Sequence, residues 1–512
     1  MYFTTNKIKI NYLSWYDLCF VFLCLNKNGM KALIYLVLVS GVIVLSSCKN
    51  DSKNSFENDV LTLLSQQDDL ALFGKVNYAE ILGKAEYQSI PKFGVVISSV
   101  IAEFERQVEM STPIYFSISG PFDYSGQPTS TNVYLEVKNA DSLVSFLMTK
   151  GYDFDEKDGF SYTKIDDVSI GVHGNMAILV LDSNNRTEIS QLFKSKFESV
   201  GRGEVNSKYG NILASEGDIL IGYDLEKAYQ TSETSLEDLD ENTKSEVLEM
   251  VKDSYGQLAV HFEKGELRIT NMNFFSDKLK ESYFFKKDEH KSVLKSLGQG
   301  EARIGLSINL DMEKVQQFLD KYAPNLIKQV GEEVGGPFQM AMVMSGANGL
   351  SSLITGQLGV VVFGEPTEHG SIEPSFNAYL GLGKQGFPLA EMAKGFVEQG
   401  GMKLTIDKQG VSCYSSSKYA PNGGQLKLPE DCNAFGENSI SGFMNFKDLD
   451  LASFQLEGGT KLIELVESVN FDWNVEGGEI KVKLKNKNQN ILKQVVDFEL
   501  KEFESQLQNL PF

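Results

Sequence analysis

The chain has 512 residues, 48 of them basic and 69 acidic, for a net charge of −21. Acidity on that scale keeps a protein soluble and excludes nucleic acid and anionic lipid surfaces as partners held by charge. With 42% hydrophobic residues the chain has ample material for cores, and its length suits about two to four domains.

Residues 1–29 contain an apolar patch, Leu18 to Leu25, too short to span a bilayer. Met30 reads as a better start. It is followed by one cation, Lys31, an apolar run from Ala32 to Leu45, and Leu45-Ser46-Ser47-Cys48. A charged end, a short apolar centre and small residues before a cut are the three parts of a secretory leader. The run is short of the roughly 20 residues a spanning helix needs, although a plain membrane anchor with an incidental Cys48 is the alternative. A cysteine at the cut resembles the bacterial lipoprotein signal. That resemblance implies removal of residues 1–47 and acylation of Cys48, through which the protein is held to a membrane. Each buried methylene contributes about 0.8 kcal/mol, and more than one chain anchors stably. Residues 48–65 begin with the polar "CKNDSKNSFENDVL" and are expected to form a tether.

From residue 66 onward, strands alternate with amphipathic helices, and five blocks recur in order. "LALFGKVNYAEIL" (70–82) answers to "ARIGLSINLDMEKV" (302–315). "PKFGVVISSVIAEFERQ" with "PIYFSISGPFD" answers to "PFQMAMVMSGANGLSSLITGQLGVVVFGEP". "TNVYLEVKNADSLVSFLMTKG" (131–151) answers to "FNAYLGLGKQGFPLAEMAKGFVEQG" (376–400). "DILIGYDLEKAY" (218–229) answers to "SISGFMNFKDLDLA" (439–452). "LAVHFEKGELRITNMNF" (258–274) answers to "FDWNVEGGEIKVKLKNK" (471–487). The expectation is an α+β fold of two homologous lobes, 66–299 and 300–512, the second a diverged copy of the first. Each would carry an antiparallel-rich sheet with helices packed mainly on one face. Alternation in "YFSISG" and "KVKLKNK" fits half-buried strands, and "NILKQVVDFELKEFESQL" (490–507) places Ile491, Val495 and Phe498 on one helical stripe. The acidic run 231–253 reads as a solvated loop and helix.

The lipobox cysteine and repeated strand-to-helix units such as "GDILIGYDLEKAY" resemble a family of large envelope lipoproteins of Bacteroidetes, classed only as a domain of unknown function. The resemblance implies a lipid-anchored cell-envelope protein and supplies no catalytic residues, so that only Cys48 is carried over. Surface display among such proteins goes with an acidic cluster after the cysteine. Only Asp51 follows here, and the expectation is the outer membrane, facing the periplasm.

Chemistry is sparse. Gly381-Leu382-Gly383-Lys384-Gln385-Gly386 lies between a strand and a helix, with Asp407 at the end of the next strand, as in a dinucleotide fingerprint. The first-lobe counterpart makes the same turn without glycines, and "TIDKQGVSCYS" reads as a hairpin rather than a crossover, so a structural turn is expected and no cofactor. The four histidines, His173, His261, His290 and His369, have no metal-ligand spacing. "DFDEKDGF" (153–160) lacks the last ligand of a calcium loop and reads as a turn. Cys413 and Cys432 can form a disulfide worth roughly 3 kcal/mol, or remain two buried thiols. Met340, Met342 and Met344, in the uncharged stretch 334–357, can line an adaptable apolar groove; a covered helix is the plainer alternative. Trp473, beside Phe471, reads as a packing residue. The expected function is binding or scaffolding toward an unknown protein or apolar ligand, without catalysis. An envelope hydrolase with a carboxylate pair and a lipid carrier are the alternatives.

Overall fold

The computed structural model describes residues 53–89, 93–122, 128–182, 188–231, 240–288, 291–322, 346–366, 372–421, 424–447 and 461–508. Cys48 and Met340, Met342 and Met344 lie outside these. The fold is α+β and its strands pair almost wholly antiparallel. The chain divides into two compact units, Met1–Ala259 and Val260–Phe512.

In the first unit, α1 (Lys53–Ser65) leads into β1 (Leu70–Val76) and α2 (Tyr78–Ala85). Then come α3 (Phe93–Glu105), β2 (Ile114–Phe122), β3 (Pro128–Glu136) and α4 (Ala140–Thr149), whose N-terminus Asn139 caps by accepting from the Ser142 amide. Two hairpins follow, β4 (Asp155–Lys157) with β5 (Phe160–Ile165), and β6 (Val168–His173) with β7 (Met176–Asp182). The unit continues through α5 (Ile189–Ser199), α6 (Ser207–Leu213), β8 (Ile219–Asp224), α7 (Leu225–Thr231) and α8 (Glu241–Val251). The strand order is β8-β1-β2-β3-β7-β6-β5-β4. One sheet face is covered by α1, α5 and α6. Phe56, Val60 and Leu64 of α1, Phe193 of α5 and Tyr209 of α6 pack on Phe73, Tyr115, Tyr134 and Ile178.

The division falls inside β9 (Tyr255–Glu263). This is well before the 299/300 break expected from the repeats. The physical reason is β10 (Glu266–Phe274), which pairs with β20 (Gly477–Leu484) from Glu266↔Lys483 to Met272↔Gly477 and so belongs with the second half. The second unit continues with α9 (Asp277–Ser282), α10 (Ser292–Ser296), the short β11 (Gly300–Glu301), β12 (Ile304–Asn309), α11 (Met312–Tyr322), β13 (Ile354–Pro366), β14 (Ile372–Leu382) and α12 (Gly386–Gln399). It closes with β15 (Lys403–Ile406), β16 (Gly410–Tyr414), the short β17 (Leu426–Lys427, parallel to β11), β18 (Ile440–Asn445), β19 (Val466–Asn474), β20 and α13 (Ile491–Gln508). Its strands run β9-β10-β20-β19-β18-β12-β13-β14-β16-β15, β9 being the strand in which the division falls. Val293 of α10 and Leu297 at its end, with Tyr419, Cys432 and Phe435, cover one face over Val361, Phe363, Tyr379 and Phe443.

The strands of the two units share an order and a register. β1 lies between β8 and β2, as β12 lies between β18 and β13, and Val76 faces Ile219 and Ile114 as Ile308 faces Ile440 and Leu358. One residue on, the Asn77 amide donates to Asp218 O at 2.8 Å, and the Asn309 amide donates to Ser439 O at 2.8 Å. Both side chains then hold the loop entering the next strand, Asn77 through Gly217 O and Asn309 through Asn438 O. Asn-x-Tyr recurs as Asn132 and Tyr134 on β3 and as Asn377 and Tyr379 on β14, with all four side chains buried. At one paired site the residues are exchanged. Phe73 on β1 lies over Gly222 on β8, whereas Gly305 on β12 lies under Phe443 on β18.

Candidate functional site: an open apolar sheet face

Side chains alternate across a strand, so register alone sorts each sheet into two faces. In the second unit the helix-covered face is the more polar one. Ser307, Asn309, Asn377, Ser412 and Ser441 are all buried there. Three of them are held by backbone partners: Asn377 Nδ2 donates to Leu297 O and Tyr419 O at 2.9 and 2.6 Å, Ser412 Oγ donates to Ser296 O at 2.9 Å, and Ser441 Oγ accepts from the Gly436 amide at 2.9 Å. The first unit does the same with Gln67, Tyr134, Ser117 and Asn132, linked by bonds of 2.7, 3.1 and 3.0 Å.

The opposite face of the second sheet is apolar and open. Ile304 sits between Met444 and Val362, and Val362 faces Phe376. On the other side Met444 faces Val469, which faces Val482, which faces Leu267. Two residues along, Leu306 faces Val360 and Gly442, and Gly442 faces Phe471. A Cβ at Gly442 would come within 2.4 Å of the Phe471 ring, so the glycine lets that ring lie flat on the sheet. In the third row Trp473 faces Ile440 and Gly478. No charged side chain interrupts these stretches. At its centre Val360 is 43% exposed, Met444 42%, Ile304 and Leu306 38% each, and Phe376 36%. Covering a large aliphatic side chain fully contributes about 1.5–3 kcal/mol, so closing these five would contribute roughly 5 kcal/mol. Sequence alternation marks the strands but not which face is left uncovered, and this site was not singled out from sequence.

The residues singled out from sequence do other work. The Gly383 and Gln385 amides donate to Leu353 O and Ser352 O at 2.9 Å each, and a Cβ at Gly383 or Gly386 would strike that same backbone at 2.3 or 2.1 Å. These glycines allow two chain segments to touch. Asp407 Oδ1 accepts from the Gln409 and Gly410 amides at 2.7 and 2.9 Å, which closes the β15–β16 hairpin. His173 Nδ1 bonds Gly159 O at 2.9 Å and its ring packs on Phe197. Asp158 stands in the β4–β5 turn at φ +53° and pairs with Lys194 at 2.9 Å, an ion pair that holds its carboxyl below the usual range. Among the described residues no three ligating side chains come together.

Cys413 and Cys432 are free thiols, the second of the two alternatives left open by the sequence. The reason is the alternation of β16. Ser412 shares the helix-covered face with Tyr379 and Cys432, and Cys413, the next residue, points to the other face beside Ala378 and Leu404. Burial pushes the Cys432 thiol up to about 11. Asp472 lies opposite Glu479 on β19 and β20, and burial, then Glu479, raise its carboxyl above the ordinary range. The cavity beside Asp472, about 20 Å³, is lined by Asp431, Cys432, Asn470 and Phe471 and not by Glu479. No described helix is long and apolar enough to cross a membrane.

No family model matches the chain, and no curated protein matches it. Solved structures similar to it include crystal form III of TP0453, at 11% identity, 42% coverage of this chain, 80% of that one and a TM-score of 0.26. Crystal form IV of TP0453 matches at 11% identity, with 41% and 79% coverage and a TM-score of 0.26. Crystal form I matches at 12% identity, with 42% and 78% coverage and a TM-score of 0.24.

Proposed function

We propose that this is a lipid-anchored envelope protein, attached through Cys48 to the outer membrane on its periplasmic side, which acts by binding and not by catalysis. In this reading the body consists of two copies of one α+β unit, and the binding surface is the open apolar face of the second. The observation that carries the binding role is the exposure of that sheet's second apolar face. The covered side packs Val361, Phe363, Tyr379 and Phe443 beside buried serines and asparagines, while Ile304, Leu306, Val360, Phe376 and Met444 stand in the open. Soluble monomers rarely leave such contiguous patches without a use. The duplicated architecture is supported by the matched registers, the paired Asn77 and Asn309 contacts and the recurring Asn-x-Tyr.

The test of attachment is intact mass of protein purified from membranes. Acyl chains on Cys48 and loss of residues 1–47 are expected, and Cys48→Ser should move the protein to the soluble fraction. Retention of the leader with a bare thiol would refute the anchor.

A further inference from the structure

The repeat sets the β9–β10 hairpin against the β19–β20 hairpin, and the two have matching bounds. β9 (Tyr255–Glu263) and β19 (Val466–Asn474) have 9 residues each. Each is joined to the next strand by a two-residue turn, Lys264-Gly265 in one and Val475-Glu476 in the other. Aligned on these turns, Tyr255 corresponds to Val466, Gly265 to Glu476, Ile269 to Ile480 and Asn273 to Leu484. The sequence blocks alone place Lys264-Gly265 two residues further on, at Gly477-Gly478.

β10 and β20 pair with each other, and the pairing is symmetric. Ile269 faces Ile480, its own counterpart. Leu267 faces Val482 and Asn271 faces Gly478, and each of these pairs is the image of the other. At the two ends, the Asn273 amide donates to Glu476 O and the Leu484 amide donates to Gly265 O, both at 2.8 Å. These two bonds are also images, because donor corresponds to donor and acceptor to acceptor. An interface in which i meets j, and the counterpart of j meets the counterpart of i, is isologous, the kind two copies of one chain make about a two-fold axis. Backbone bonding alone allows other registers; the one adopted is centred on counterparts. The two strands differ in how well they suit themselves. A second β20 laid antiparallel on β20 about Ile480 puts Glu479 opposite Lys481 twice and Gly478 opposite Val482 twice. A second β10 laid on β10 about Ile269 sets Leu267 against Asn271 and Glu266 against Met272, twice each. β20 is the self-complementary strand.

We propose that the β10–β20 ladder is a dimer interface carried within one chain, and that β20, released from β10, takes the β20 of a second copy about the same axis. This rests on the reading of the body as two copies of one unit, and it adds the contact by which one copy recognises another. In the folded chain β10 occupies that edge and so keeps β20 from a second molecule.

The test uses the mature chain, 48–512, with Cys48→Ala, Cys413→Ala and Cys432→Ala, so that introduced thiols are its only ones. In this background Ile269→Cys with Ile480→Cys should close a disulfide within one chain on mild oxidation. Bonded antiparallel pairs hold their Cα atoms about 5.5 Å apart, within disulfide reach. Failure of that link removes the register, and with it the support this hairpin gives to duplication. β20 is then released in two ways that leave its own sequence untouched. Leu267→Pro with Asn271→Pro strips β10 of two amides that alternation aims at β20. Glu266→Lys with Thr270→Glu sets like charges opposite Lys483 and Glu479. Either release should give a dimer in sedimentation. Ile480→Cys should then link two chains, whereas Val482→Cys, which meets Gly478 across the axis, should not. Monomers from both releases, or thiols at 480 and 482 that link alike, overturn the proposal and leave duplication standing on its other matched registers. A link between 269 of one chain and 480 of another in the unreleased protein assigns an exchange of hairpins between molecules and overturns it too.

Discussion

Lys84 Nζ reaches both oxygens of Asp218 at 2.6 and 2.7 Å, and the aspartate side chain is 1% exposed. Removing one partner of a buried pair costs about 3–5 kcal/mol; because a third of Lys84 meets water, Lys84→Met is expected to cost about 2 kcal/mol, read from urea unfolding. Asp472 behaves in the opposite sense. Its folded carboxyl binds a proton more tightly than the unfolded chain does, so its contribution to stability falls as pH rises from about 4 through the raised folded value. Asp472→Asn keeps an oxygen for Asn438 Nδ2, which now donates at 2.7 Å. The variant should therefore be more stable than the parent at pH 7, with the difference vanishing below pH about 4. For the cysteines, reductant should leave the melting temperature unchanged, and a thiol reagent added to unfolded, unreduced protein should label both Cys413 and Cys432. Little of this is legible in a sequence. Spacing brought the two cysteines within reach of each other along the chain, but a one-residue difference in strand parity put them on opposite faces.

Strands were the readable elements. Alternation in "YFSISG" and "KVKLKNK" marks β2 and β20, and the hairpin about Asp407 follows from its turn residues. The drift in spacing between the repeats also has a structural cause. β3 is followed by two hairpins, β4–β5 and β6–β7, where β14 is followed by one, β15–β16. What could not be read was the cover. Both faces of β12, β13 and β18 carry apolar residues, and only the packing of α10, Tyr419, Cys432 and Phe435 shows which face is closed. The closed face tolerates Asn377 and Ser412 because helix ends and loops offer them carbonyls, a supply no local pattern encodes. On the open face, Gly442 is tied to Phe471. Gly442→Val should displace the ring and cost about 1–3 kcal/mol, the usual penalty of overpacking, as a lowered urea midpoint.

At the scale of the whole molecule, the compact units divide at 259/260 where the repeats divide at 299/300, because repeats track similarity of segments, not their pairing. β10 bonds β20 along seven residue pairs and β9 on its other edge. A fragment 255–512, which keeps both strands, should accordingly self-associate less by light scattering than 300–512, in which the edge of β20 is bared. The exchanged Phe73–Gly222 and Gly305–Phe443 pairs bear on how such a chain reaches its native state at all. Units with one strand order and one register invite a nascent strand to dock on the wrong sibling, a known hazard of repeated architectures. Were β1 to seek β18, two phenylalanines would compete for one seat; were β12 to seek β8, two glycines would leave a hole. Each mistaken marriage is penalised by volume alone, so an inverted pair of ring and hydrogen serves as the mark by which each half knows its own strands.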